Sequence, residues 1–110
     1  MDDFRIDELT SIELLSLSKN AIIHLQPISV LDTLITLNIN QNKVYDLTPL
    51  EDLVLLQELY ASNNQICNIE PLTKLKNLRV LNLYFNKIAG ADRVIKVFGH
   101  LDALEDLDVE

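Results

Sequence analysis

The chain repeats one pattern of apolar and polar positions every 22 residues. Each copy has apolar residues at its first, fourth and sixth positions, an asparagine at the ninth and Ile or Val at the eleventh. Alternation around the fourth and sixth positions predicts a short β-strand with one buried face. Because the copies are in register, we expect neighbouring strands to pair in a parallel sheet. The recurring asparagines, expected to turn inward as a structural ladder, are Asn20, Asn42, Asn64 and Asn86.

The second half of each copy carries apolar residues spaced three apart, as in Leu25, Ile28 and Leu31. This spacing favours short 3₁₀ turns over full α-helices. A proline with a preset φ stands at the same place in three copies, where it predicts the entry to the turn. These prolines are Pro27, Pro49 and Pro71.

The fourth copy is longer, since 26 residues separate Leu78 from Leu104. Its extra length predicts an α-helix, with Asp92 as the N-cap and Gly99 as the stop. The apolar residues at helical spacing are Val94, Val97, Phe98 and Leu101.

These periods predict one α/β array made of a half repeat, four full repeats and a partial repeat. Their bounds are 1–11, then 12–33, 34–55, 56–77 and 78–103, and finally 104–110. Because the fifth copy stops before its asparagine, we expect a fragment, or a chain truncated at its C-terminal end.

The pattern Leu-x-x-Leu-x-Leu-x-x-Asn-x-Ile resembles leucine-rich repeats, specifically the 22-residue class typified by a regulatory subunit of protein phosphatase 1. The resemblance implies a solenoid with the parallel sheet on its concave face and short 3₁₀ or α turns on its convex face. The late repeats, ending in LDALEDLDVE, are similar to outer-arm dynein light chain 1 and other ciliary leucine-rich-repeat proteins. The prolines in DLTPL and NIEPL are similar to those of bacterial internalin repeats.

Composition narrows the function further. The net charge of −8 argues against a nucleic-acid or anionic-membrane partner, which would need a cationic surface. A single cysteine rules out an internal disulfide and favours a reducing compartment. The start MDDFRIDELT lacks an apolar signal region, so we expect a cytoplasmic protein, with a cytoskeletal or nuclear location as variants.

No catalytic pattern is visible in the sequence. His24 and His100 lie far apart in the array, and Cys67 has no histidine partner, so all three are interpreted as surface residues. No spacing typical of a metal site or phosphate loop occurs. We therefore expect no enzyme activity, no cofactor and no metal.

The outward strand positions are the remaining candidates for a binding surface. They change from small and polar in the first repeats to aromatic and then acidic in the last ones. Exposed tyrosine is a favoured interface anchor, so we expect a protein helix or peptide to bind the concave face there. The candidate partner-binding residues are Tyr60, Tyr84, Phe85, Glu58, Asn82, Asp106 and Asp108.

The leading hypothesis is a non-enzymatic protein-interaction module, an intracellular scaffold or regulatory subunit of ciliary or cytoskeletal type. One alternative is a regulatory subunit that binds an enzyme such as a protein phosphatase. Another is an internalin-like bacterial adhesion repeat. An uncapped C-terminal strand edge would also let chains associate end to end.

Overall fold

The computed structural model describes residues 12–88 and 96–108, in which five three-residue strands form one parallel sheet in chain order. The register joins equivalent residues of successive copies, so Leu15 pairs with Leu37 and Leu37 with Leu59. The longer fourth copy keeps this register, since Leu81 pairs with Leu107. The strands are β1 (Leu14–Ser16), β2 (Thr36–Asn38), β3 (Glu58–Tyr60), β4 (Val80–Asn82) and β5 (Asp106–Asp108).

Short 3₁₀ helices follow the first three strands, as the three-residue apolar spacing predicts. They span Gln26–Val30, Thr48–Leu50 and Glu70–Lys74, and each has its proline in the first two positions. In the second helix the N–H of Leu50 donates to Leu47 at 2.9 Å, and the N–H of Leu53 donates to Leu50 at 3.0 Å. A repeat of three residues per turn keeps these apolar residues on the inner side of the coil.

The core is a column of aliphatic side chains between the sheet and the 3₁₀ turns. Leu37, Leu59 and Leu81, the central strand residues, are at most 1% exposed. Their equivalent Leu107 in β5 is 39% exposed, so burial falls on the last described strand. Burial therefore depends on neighbouring coils, because no coil encloses its own leucines.

The helix expected in the fourth copy is present where the structure describes it. Residues 96–98 are helical, and Gly99 begins the turn that ends the helix. Val97 and Leu101 are buried, and Phe98 packs against the core from the same side. Asp92 and Val94 lie outside the described residues.

The recurring asparagine turns inward and hydrogen-bonds two coils at once, as Asn64 illustrates. Its Nδ2 donates to the carbonyls of Ala61 at 3.2 Å and Ser62 at 3.1 Å in its own coil, and to Ile39 at 2.9 Å in the coil before. Its Oδ1 accepts the N–H of Val44 at 3.0 Å. The amide thus satisfies backbone groups that the corner would otherwise leave unpaired.

The same bonds recur along the asparagine ladder. Asn42 Oδ1 accepts the N–H groups of Asn20 and Ile22, both at 2.9 Å, and Asn86 Oδ1 accepts the N–H of Ile66 at 3.0 Å. Asn42 and Asn64 are each 7% exposed, whereas the Asn20 side chain is exposed. The buried members of the ladder therefore lie in the middle coils.

Each corner also requires one residue with a left-handed backbone directly before the ladder asparagine. This position has φ of 62° at Lys19, 60° at Gln41, 58° at Asn63 and 58° at Phe85. Asparagine adopts this conformation more readily than other residues that carry a side chain, and a bulky side chain there is unusual. Of these four corner residues, Phe85 is therefore the least suited to the left-handed backbone that all four adopt.

We predict that Asn64→Ala lowers the free energy of unfolding by about 2–4 kcal/mol, because the buried backbone groups around it lose their partner. The matched control, Asn20→Ala, removes an exposed amide that water can replace, and should cost less than about 1 kcal/mol. Urea denaturation followed by circular dichroism measures both. Equal losses of unfolding free energy in the two variants would contradict the larger contribution expected from the buried asparagine.

Candidate functional site: the concave face of the sheet

The outward side chains of the strands form two rows across the sheet. The register aligns Leu14, Thr36, Glu58, Val80 and Asp106 in one row, and Ser16, Asn38, Tyr60, Asn82 and Asp108 in the other. All ten are half-buried or exposed. The predicted change from small polar to acidic residues is therefore laid out in a fixed order across the concave face.

Four side chains near β3 form a hydrogen-bonded and ionic network. The Tyr60 hydroxyl donates to Glu58 Oε1 at 2.8 Å, and Arg79 Nη1 lies 3.4 Å from Glu58 Oε2. Arg79 Nε also lies 3.6 Å from Glu105 Oε2. Arg79 thus bridges two carboxylates on the coils on either side of its own, and both oxygens of Glu58 have partners.

This network changes the acidity of the Tyr60 phenol. The hydrogen bond to Glu58 raises the pKa of Tyr60, partial burial raises it further, and the charges of Glu58 and Asp106 add to the shift. Arg79 acts in the opposite direction. Tyr60 therefore keeps its proton and remains the donor to Glu58 at neutral pH.

Carboxylates outnumber cations at this end of the face. We call Glu58, Glu105, Asp106 and Asp108 the acidic patch. Arg79 is the one cation that forms ion pairs with it among the described residues. Glu105, Asp106 and Asp108 are exposed. The patch is therefore open to a positively charged group.

Tyr84 and Phe85, the aromatic pair, follow β4, whose Asn82 pairs with Asp108 of the acidic patch. Their ring centroids are 4.2 Å apart with an interplanar angle of 62°. Asn82 is hydrogen-bonded to the backbone of this pair, since its Oδ1 accepts the N–H of Tyr84 at 3.0 Å. Asn82 therefore also fixes the backbone that presents the tyrosine.

Phe85, one of the candidate partner-binding residues, lies outside the strands of the sheet. β4 ends at Asn82, and Phe85 lies beyond it, at the left-handed corner, with 59% of its surface exposed. Tyr60 is also less exposed than expected, since it is half-buried and its hydroxyl has a partner. Tyr60 pairs with Asn82 across the sheet, so Tyr84 lies two residues further along its coil.

Sequence reasoning missed Arg79 and Glu105 as part of the site. Both directly precede a strand at equivalent positions, and the N–H of Glu105 donates to the Arg79 carbonyl at 2.7 Å. Position-by-position alignment of the repeats was the signal that could have paired them. Their side chains extend the site from the strands to the loops that enter them.

The other residues considered for chemistry remain dispersed. His24, His100 and Cys67 are exposed, and the His24 ring has an edge contact with Tyr45. No three His, Cys, Asp or Glu side chains in the described part of the chain could hold a metal ion together. No helix within residues 12–88 and 96–108 has the length and apolar content to cross a membrane.

A sequence profile described as Leucine Rich repeats (2 copies) matches residues 54–108, half of the chain. The chain belongs to the leucine-rich-repeat proteins. Proteins of this family are typically non-enzymatic interaction modules. No curated protein matches the chain at a significant level.

Solved leucine-rich-repeat structures superpose on almost the whole chain. Internalin C2 from Listeria monocytogenes matches with 33% identity and a TM-score of 0.86, over 96% of this chain and 45% of its own. A leucine-rich-repeat protein of Leptospira interrogans matches with 29% identity and a TM-score of 0.84, over 96% and 27%. Human 5T4 (trophoblast glycoprotein), at 21% identity, a TM-score of 0.66 and coverage of 93% and 39%, shares the fold. The chain spans less than half of each of these structures.

We predict that Glu58→Ala lowers the pKa of Tyr60 toward its ordinary value, because the largest cause of the raised pKa is lost. The stability that this bond adds is present below the ordinary tyrosine pKa of about 10 and is lost as pH rises through the raised pKa. Phenolate absorbance during an alkaline titration measures this in a Tyr45→Phe/Tyr84→Phe background, where Tyr60 is the sole tyrosine.

The matched control is Glu51→Ala, which removes a carboxylate at the end of the second 3₁₀ helix. It should leave the Tyr60 titration unchanged. A Tyr60 pKa that does not move in Glu58→Ala would show that the hydrogen bond is not the cause.

Proposed function

We propose that this leucine-rich-repeat array is a non-enzymatic module that binds a protein partner through its concave face. The observation that carries the proposal is the juxtaposition of the acidic patch with the aromatic pair on one open surface. Aromatic side chains supply large apolar contact area, and the exposed carboxylates of Asp106 and Asp108 supply charge complementarity. A helix or peptide that carries basic residues fits such a surface.

The rigidity of the face supports this role. Its side chains stand on strands that are held in register by backbone bonds, such as the N–H of Ala61 donating to Asn82 at 2.8 Å. A preorganised surface loses little conformational entropy when a partner binds. The proposed partner contacts are Tyr60, Tyr84, Phe85, Glu58, Asn82, Asp106 and Asp108.

We further propose a cytoplasmic scaffold or regulatory subunit, of ciliary or cytoskeletal type or bound to an enzyme such as a protein phosphatase. The single cysteine and the acidic net charge support a reducing, aqueous location. The identity of the captured partner separates these roles. For the enzyme-bound role, the partner's rate must change when this protein is added.

A second candidate is an internalin-like adhesion repeat, which the 33% identity to internalin C2 favours. On this reading the partner is a surface protein of another cell. The two candidates differ in where the native protein is found, so fractionation of the source cells followed by immunoblotting distinguishes them.

We predict that the Asp106→Arg/Asp108→Arg double variant loses the partner that wild type captures from source-cell lysate, read by mass spectrometry. Both side chains are exposed, so the fold should persist. The attraction between the two carboxylates and basic residues of the partner should become repulsion. The matched control is Asp32→Arg/Asp52→Arg, which makes the same charge change at exposed positions beside the 3₁₀ helices. Retention of the partner by the first variant, or its loss in both, would refute binding at the acidic patch.

A further inference from the structure

Phe85 combines two features that each reduce the stability of the folded chain. Its backbone has φ of 58°, in the left-handed region, and 59% of its surface is exposed. A bulky residue is unusual in this conformation, and an exposed ring buries little apolar area in return. Packing of the fold therefore does not account for phenylalanine at this corner.

The equivalent corners show what the geometry itself favours. Lys19, Gln41 and Asn63 occupy the same position with nearly the same φ, and all three are polar and exposed. Asn63, in the adjacent coil, is the residue type best suited to a left-handed backbone. An asparagine at position 85 would satisfy the corner as well as Asn63 does.

The one ring contact of Phe85 among the described residues is with Tyr84. The two rings meet edge to face, an arrangement worth a modest stabilisation beyond the area it buries. Because Phe85 remains mostly exposed, the pair presents apolar surface that this chain does not cover in its described part.

The surroundings of the pair indicate the chemistry of what covers it. Asp108 pairs with Asn82, two residues before Tyr84, so the Asp108 and Tyr84 Cα atoms lie about 8 Å apart from strand spacing and rise. Two residues of an extended chain span about 7 Å. A single segment can therefore place an apolar side chain on the aromatic pair and a cationic one on Asp108.

We propose that Phe85, at the corner next to the concave face, is the specificity-determining anchor of the binding site, held at a cost in stability to bind an apolar side chain. The occupant is a protein segment with one large apolar residue and Lys or Arg within two or three positions of it. This inference rests on the proposed function, and it names the partner's chemistry and the residue that selects it.

The first experiment identifies the segment without a known partner. A phage-displayed library of short random peptides is selected on the wild-type protein and sequenced. Enriched peptides should carry a Leu, Ile, Met or aromatic residue with Lys or Arg two or three positions away. Enrichment of acidic peptides, or no enrichment, would overturn the proposed occupant.

The second experiment tests Phe85, with the most enriched peptide as the probe. Phe85→Asn should weaken binding by about tenfold or more, as for a central anchor. The same variant should unfold at an unchanged or higher temperature, by up to about 5 °C, because asparagine suits the corner. Loss of binding without loss of stability is the signature of a binding anchor.

The matched control is Gln41→Asn, which introduces the same residue at the equivalent corner two coils away. It should leave the probe's affinity unchanged and the unfolding temperature unchanged or higher. If Phe85→Asn keeps full affinity, Phe85 is not a binding anchor, and if it unfolds at a clearly lower temperature, Phe85 serves the fold. Either result would overturn the inference.

Failure of this inference can be told apart from failure of the proposed function. If wild type captures a protein that Asp106→Arg/Asp108→Arg loses while Phe85→Asn retains it, concave binding stands and the Phe85 anchor falls. If Asp106→Arg/Asp108→Arg retains that protein, the acidic patch is not the site and both proposals fail.

Discussion

The buried asparagine amide is the interaction on which the rest of this structure depends. A three-residue strand followed by a sharp corner leaves backbone donors and acceptors that cannot reach water. Asn64 satisfies such groups in its own coil and in the one before, so it holds two coils at a fixed offset. Because the same offset separates successive strands, equivalent outward side chains align in rows. The asparagine ladder therefore determines where each side chain lies on the concave face.

The 22-residue period made the fold predictable, because equivalent positions in each copy carry similar residues and adopt the same local structure. The repeat position of Leu59 was therefore expected to be buried, and the repeat position of Pro49 was expected to begin a 3₁₀ turn. The longer fourth copy was predictable for a different reason, since the spacing of Val97, Phe98 and Leu101 changes to that of a helix while the strand register is kept.

The site was only partly predictable. The repeat period predicts the direction in which a side chain points, but it does not predict which neighbouring side chain it contacts. Glu58 and Tyr60 were expected on the face, but the hydroxyl bond between them and the bridge through Arg79 depend on rotamers. Phe85 was expected to bind a partner, and its alignment with Asn63 assigns it to the left-handed corner rather than to a strand.

This contrast separates two kinds of residue in a repeat protein. Where a position obeys the period, as Asn42 and Leu37 do, stability explains the residue and function need not be invoked. Where a position departs from the period at a cost, as Phe85 does, the fold offers no reason to keep it. Phe85 follows β4, which pairs with the strand that carries Asp106 and Asp108. One conformational signal and one electrostatic signal therefore converge on the same part of the surface.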